Sequence, residues 1–460
     1  MKHETVKDTQ EQGKRKVFYH LLGNTLVTSV MNFTVWFAII FFVYLETKSV
    51  FASALLSGVY LVLSASTGFW FGSIVDHHKK KTAMLFSTMG SLLFYIAAFI
   101  VYLLAGSDTF KDPASLMLWV FVGLISVGVI LGNIRMIAMP TVVTLLVPAE
   151  RRDKANGLVG SVAGVAAIAT SVISGLLVGL SGMYHVLLLA IIASIVAGLH
   201  LLIITVPEKG IVHSEDTPKK IDIRGTFKII AGVPGLFALI LFTTLNNFLA
   251  GAVNALADPY GLSLVSVEVW GLLLAVLTSG FMIGGLIIAK KGLGKNPLRA
   301  LLLVNVAMWL IAGVFTIQAS ILLFSIGLFL YMLLIPFVEA SEQTILQKLV
   351  PYERQGRVFG FAQSIEHAAA PLMAFIIGPI TQFIFIPFMT TGAGVDLIGS
   401  WFGTGPARGM AVVFTLTAVV GLVATLLALM SKYYRALSTR YQEVPIEVAS
   451  QPLSSPDKKA

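Results

Sequence analysis

At 460 residues, with 57% hydrophobic and 12% charged positions and a mean hydropathy of +0.87, the chain has too few charges to cover a water-facing surface; soluble domains carry about 25%. The net charge of +9 would suit a nucleic-acid partner in a soluble protein, but the cations here sit in short segments between apolar blocks, where they act as topology signals, so no nucleic acid is expected. The absence of Cys excludes disulfide and thiol chemistry.

The N-terminus, residues 1–16, is polar, and the first apolar block after it is long enough to span a bilayer, so no cleavable leader is expected. Spans are predicted at 17–45, 52–75, 82–104, 116–143, 157–180 and 184–206, then at 236–257, 269–289, 298–317, 321–345, 359–385 and 410–431. Lipid offers the backbone no hydrogen-bond partner, so all twelve must be helices. Between the sixth and seventh spans lies a polar linker, 207–233, with an amphipathic stretch at 221–230 suited to the membrane surface. After the last span a polar tail, 434–460, is expected to be disordered. With both termini in the cytoplasm, about 28 of the 32 Lys and Arg fall inside, against Lys48, Lys111 and Arg408 outside and Arg135 within a span. That asymmetry requires an even number of spans.

The chain repeats itself. Val147-Pro148-Ala149-Glu150-Arg151 returns as Val350-Pro351-Tyr352-Glu353-Arg354, and Asn32-Phe33 of span one returns as Asn247-Phe248 of span seven. Two six-helix bundles, 17–206 and 234–433, in the same orientation are therefore expected, an architecture suited to a transporter with a site at the bilayer midplane. A duplicated bundle that senses or scaffolds without transporting is the alternative.

The loop after span two reads Gly72-Ser-Ile-Val-Asp76-His-His-Lys79-Lys80-Lys81, and this resembles the loop signature of the major facilitator superfamily. The segments 350–360, 401–409 and 222–228 are similar to the macrolide-efflux-type branch, the third family of drug:proton antiporters. The likeness covers nearly all of residues 17–430. It implies the all-α major facilitator fold and efflux of hydrophobic or amphipathic compounds, hence multidrug resistance. It departs from the family pattern at His77 and Lys79, where Arg and Gly are usual, and the second-half loop, 284–297, has no Asp. Span five lacks the Gly-Pro pair of many antiporters; the nearest is Gly378-Pro379 in span eleven.

A gate is expected from Gly72, Asp76, Lys80, Arg354 and Arg357. The resemblance implies that Asp76 docks on the start of span eleven and closes the cytoplasmic side, where helix-start N–H groups favour a carboxylate. The alternative is a solvated acid balanced by Lys79–Lys81. Arg135 sits in span four, about 18 Å from the basic loop that follows it, and an intramembrane Arg is costly unless paired or wet. The resemblance implies that spans one, four, seven and ten line the cavity, so Arg135 is expected to face Glu339 or Glu342 across it; snorkelling or a local acid partner is the alternative. Glu366, about 14 Å into span eleven, is the leading proton site, with Glu339, Glu342 and His367 as further candidates. A carboxyl withdrawn from water can exchange a proton at ordinary pH, or it can be a fixed interhelical bond. Asn32 with Trp36, and Asn247 with Asn254, fall on single helix faces and suit a bulky amphipathic ligand or, equally, interhelical bonding.

No phosphate loop, metal-ligand spacing or nucleophile elbow is visible, so no cofactor and no enzymatic activity are expected. The reading is a multi-pass transporter of the cell membrane. It takes a small-molecule substrate, coupled to protons, and acts in the lipid bilayer as a monomer. Export or import of a specific metabolite, siderophore or lipid is the second reading.

Overall fold

A computed structural model describes residues 2–47, 50–106, 108–208 and 223–444. Lys48, most of the linker (209–222) and the end of the tail (445–460) lie outside the described residues. The first half contains α1 (Lys2–Thr47), α2 (Val50–His77), α3 (Lys80–Leu104), α4 (Leu116–Gly132), α5 (Ile134–Leu146), α6 (Arg152–Ser181) and α7 (Met183–Ile203). The linker contributes α8 (Ile223–Gly232). The second half contains α9 (Leu236–Leu264), α10 (Val267–Lys291), α11 (Pro297–Val314), α12 (Ile321–Leu349), α13 (Gln355–Ile380), α14 (Ile386–Thr390), α15 (Ala393–Phe402) and α16 (Pro406–Met430), followed by α17 (Lys432–Glu443).

Among the described residues eleven segments are long and apolar enough to cross a membrane, with α4 and α5 forming one and α13 and α14 another. The 30-residue α6, packed along α1 and α10, makes the twelfth. A single residue, Gly182, turns α6 into α7; its φ of +59° is a backbone region that side-chain-bearing residues avoid. The tail corrects an expectation. Residues 434–443 belong to a helix, not to a disordered tail, because Ser431 caps it by accepting from Tyr434 N–H at 3.1 Å and Leu437 is buried against the bundle. The polar residues 2–16 likewise extend α1 as helix.

The duplication is visible in three dimensions. α1 packs on α6 and α7, and α9 packs on α13 and α16. α3 packs on α7, and α11 on α16. The repeated Val-Pro-x-Glu-Arg segments form matching 3₁₀ turns, Ala149–Arg151 and Tyr352–Arg354, each leading into a long helix through an Arg at φ −121°. Across the halves, α2 lies on α13 and α6 lies on α10.

The apolar core divides unevenly. At the end that carries Lys79–Lys81, Arg151–Arg152 and Lys290–Lys291, hereafter the basic end, one continuous cluster joins both halves, with Val75 and Val143 beside Ile345 and Phe359. At the far end each half keeps its own cluster: Val35, Phe121 and Leu187 in the first, Trp309, Phe324 and Phe414 in the second. Burial of apolar surface therefore locks the basic end shut and leaves the halves apart at the far end.

Candidate transport site and inter-half seams

The α2–α13 seam is built on glycine. A Cβ on Gly72 would strike the Gly356 carbonyl oxygen and approach Arg357 Cα to 2.9 Å, so the two backbones touch. This contact sets Asp76 at the start of α13. Its Oδ1 accepts from Gly356 N–H at 2.6 Å and its Oδ2 from Arg357 N–H at 2.9 Å, two orphan donors of a helix N-terminus. The Arg357 guanidinium stands 3.8 Å from Oδ2 and also 3.0 Å from His77 Nε2. His77 Nδ1 lies 2.8 Å from the Ser73 carbonyl oxygen, which makes Nδ1 the protonated nitrogen and Nε2 the acceptor for Arg357. The unusual His after Asp76 thus receives a cation from the other half; an Arg there would have met a like charge. Lys80 is buried, donates to the Val75 carbonyl at 2.6 Å and lies over the Tyr352 ring at 5.0 Å. Its backbone N–H donates to Glu208 at 2.7 Å, and burial pushes the Glu208 carboxyl above its ordinary range. Arg354 ends the 3₁₀ turn before α13 and is half-buried. The five expected gate residues therefore cluster at one seam.

Three carboxyls meet in the second half. Thr243 Oγ1 on α9 lies 2.7 Å from Glu366 Oε1 on α13 and 3.0 Å from Glu342 Oε1 on α12. Glu339, three residues before Glu342, is exposed and within electrostatic reach of Glu366. A hydroxyl carries one hydrogen. If Thr243 donates to one carboxyl, the other must bring its own proton to complete the second bond. Among the described residues no Lys or Arg bonds to any of the three. A carboxyl pair bridged in this way can hold one proton between its members. His367 is exposed beside Glu366 and is not part of the bonded set.

Arg135 corrects another expectation. It does not face Glu339 or Glu342. It is buried inside the first half, where Nη1 donates to Asn24 Oδ1 on α1 at 2.7 Å and Nη2 to Thr88 Oγ1 on α3 at 2.5 Å. Span four breaks at Asn133, whose side chain donates to Ser64 of α2 at 3.0 Å. Two residues on, about 200° round a helix, Arg135 points the other way. The repeat offset matched chain positions, not facing directions. Asn32 is also held within its half, accepting from Tyr95 O–H at 2.7 Å and donating to the Val129 carbonyl at 3.1 Å. Trp36 stacks on Tyr60 at 3.7 Å and remains half-exposed. Asn247 donates to Thr243 O one turn below, and both it and Asn254 are exposed on α9.

Several participants escaped the sequence reading. Thr243 lies one turn before Asn247, so extending that stripe by four residues would have found it. A neutral cluster closes the second seam region: Asn156 Nδ2 donates to Thr344 Oγ1 at 2.9 Å and to Gln347 Oε1 at 3.0 Å, and Gln347 Nε2 donates to the Pro140 carbonyl at 3.0 Å. Asp153, at the start of α6, accepts from Leu293 N–H in the loop after α10 at 2.8 Å. Arg408, counted among the outer cations, is buried, donating to the Thr316 carbonyl at 2.8 Å and lying over Phe402.

A family model described as Major Facilitator Superfamily matches residues 21–374. Macrolide efflux protein A of Streptococcus pyogenes is 24% identical over 371 residues, 77% of this chain and 87% of that protein. Among solved structures, a bacterial homologue of the iron transporter ferroportin in an outward-facing state superimposes with a TM-score of 0.65 at 15% identity, over 90% of this chain and all (100%) of that one. The human organic anion transporter MFSD10 does so with a TM-score of 0.67 at 13% identity, over 90% and 99%.

Proposed function

The chain belongs to the major facilitator superfamily, and from that premise we propose that it is a proton-coupled exporter of hydrophobic or amphipathic compounds, macrolides among them, working by alternating access. It is a multi-pass membrane transporter for a small-molecule substrate. In this reading the basic end faces the cytoplasm, as the cation asymmetry favours. The halves 17–206 and 234–433 rock as units, each chain acting alone. The state described above is open to the far, external side. There the Glu342–Thr243–Glu366 set takes protons while substrate leaves a cavity walled by Trp36, Tyr60, Asn247 and Asn254. Closing the far end and parting the α2–α13 seam turns the carboxyls toward the cytoplasm, where they release protons and admit the next substrate. Asp76 with Arg357 biases the balance between the two states.

The observation that carries this reading is the carboxyl pair bridged by one hydroxyl, Glu342 buried and Glu366 half-buried, with no cation partner among the described residues. A fixed structural bond needs one acid; a pair that must hold an extra proton suits coupling. The test is uptake of a fluorescent amphiphile and of a labelled macrolide into energised inside-out vesicles. Uptake should collapse when an uncoupler dissipates the proton gradient, and Glu366→Gln should lower gradient-driven uptake at least about tenfold with normal membrane insertion. Gradient-dependent uptake at the native rate by Glu366→Gln would remove the carboxyl pair from the mechanism.

A further inference from the structure

Arg135 is a buried cation inside the first half, and among the described residues its side chain meets only neutral acceptors, Asn24 and Thr88. A guanidinium has five N–H donors, and these contacts use two. A charge in this position without a counter-charge costs several kcal/mol. Beside it is a cavity of about 30 Å³ that Arg135 lines together with Ser29, Asn32, Asn133 and Ser194. That volume suits a small ion with a water, not a drug-sized molecule. The hydroxyls of Ser29 and Ser194 have no hydrogen-bond partner among the described residues, so both can donate into the space. The kink in span four sets the geometry: at Asn133 the helix tightens by one turn, with Met136 N–H donating to Asn133 O at 3.0 Å, and Arg135 follows on the cavity wall.

From the pocket, the uncompensated buried guanidinium and the two serine hydroxyls beside it, we propose that the first half binds a small monovalent anion, halide- to carboxylate-sized, as the counter-ion of Arg135. The anion completes the charge balance that Asn24 and Thr88 leave open. It also ties α1, α3, α5 and α7 to one centre, so it stabilises this half as a unit during the rocking motion. The inference stands apart from proton coupling, which concerns the second half.

The test uses the full-length protein purified in detergent. Thermal unfolding is followed in sodium chloride, nitrate and acetate, against sodium gluconate at matched ionic strength, because gluconate is too bulky for the cavity. The native protein should show a saturable rise in midpoint temperature of about 1–3 °C with the small anions. Chloride-35 resonance should broaden on binding. Both signals should vanish in Arg135→Gln. Ser194→Leu fills the cavity without touching the guanidinium contacts and should abolish them too, so the proposal stays testable if Arg135→Gln does not fold. An equal rise with gluconate, or an undiminished anion response in Ser194→Leu, overturns it.

Discussion

The two inter-half seams descend from one duplicated pair of helices, yet they place their acid on opposite sides. At α2–α13 the last turn of α2 carries Asp76, and the start of α13 offers the N–H groups of Gly356 and Arg357. At α6–α10 the helix start carries Asp153, and the loop after span eight offers the N–H of Leu293. Close backbone approach is kept at both: a Cβ on Gly285 would lie 2.6 Å from Ser161 N, as one on Gly72 would meet Arg357. What the duplication preserves is a contact between one helix start and the end of the facing span, with a carboxylate in it. Which partner supplies the carboxylate is free, because a hydrogen bond does not record which side the charge came from. The seams differ more in depth. Asp76 is buried and reinforced by Arg357, whereas Asp153 is half-buried and aided by the neutral Asn156–Gln347 cluster.

The contrast breaks most severely at the glycine. In Gly72→Ala the new methyl meets backbone atoms of Gly356 and Arg357, which have no rotamer to escape into. Overpacking of this kind costs about 1–3 kcal/mol, enough to shift two nearly balanced states by roughly 5- to 150-fold. The chain has no Cys, so single-cysteine reporters need no background removal. With Gln363→Cys on α13 beside the seam and Asn254→Cys on the exposed face of α9, Gly72→Ala should speed labelling at 363 and slow it at 254. Unchanged rates at both would mean that the seam tolerates the methyl and does not control access.

Asp76→Asn should act in the same direction but less. The amide keeps one acceptor for two N–H donors and loses the charge that both bonds exploit. A loss of about 1–2 kcal/mol predicts a roughly 5- to 30-fold gain in labelling at Gln363→Cys. Rates equal to those of the native protein would return Asp76 to the role of a structural cap.

The large divisions of the molecule were open to inspection in the chain itself. Twenty-residue apolar blocks have one solution in lipid, and the doubled Val-Pro-x-Glu-Arg segment announced the two halves. Asp76 was readable because its partner donors are backbone groups, which any helix start supplies. Arg135 was not, since its facing depends on the break at Asn133, and nothing in a span of apolar residues marks a broken turn. Thr243 was passed over because a lone Thr on a membrane helix usually bonds its own backbone, and this one does so as well as bridging two acids. Asp153 is not legible from the matching loop position, because the duplication conserved the contact and not the residue.

Asp153→Asn therefore offers the finest test of the seam comparison. Its carboxylate holds Leu293 N–H at 2.8 Å, but its other oxygen is engaged locally by Lys154 N–H at 2.7 Å, and the site is partly open to solvent. Solvent-screened contacts of this kind contribute about 0.5–1 kcal/mol, so labelling at Gln363→Cys should rise only about 2- to 5-fold. If the two seams open as one rigid motion, the Asp76→Asn/Asp153→Asn double variant should show the product of the two single effects, because the sites are distant and share no partner. A double variant no more open than Asp76→Asn alone would show that the α2–α13 seam sets the balance and that Asp153 holds its loop in both states.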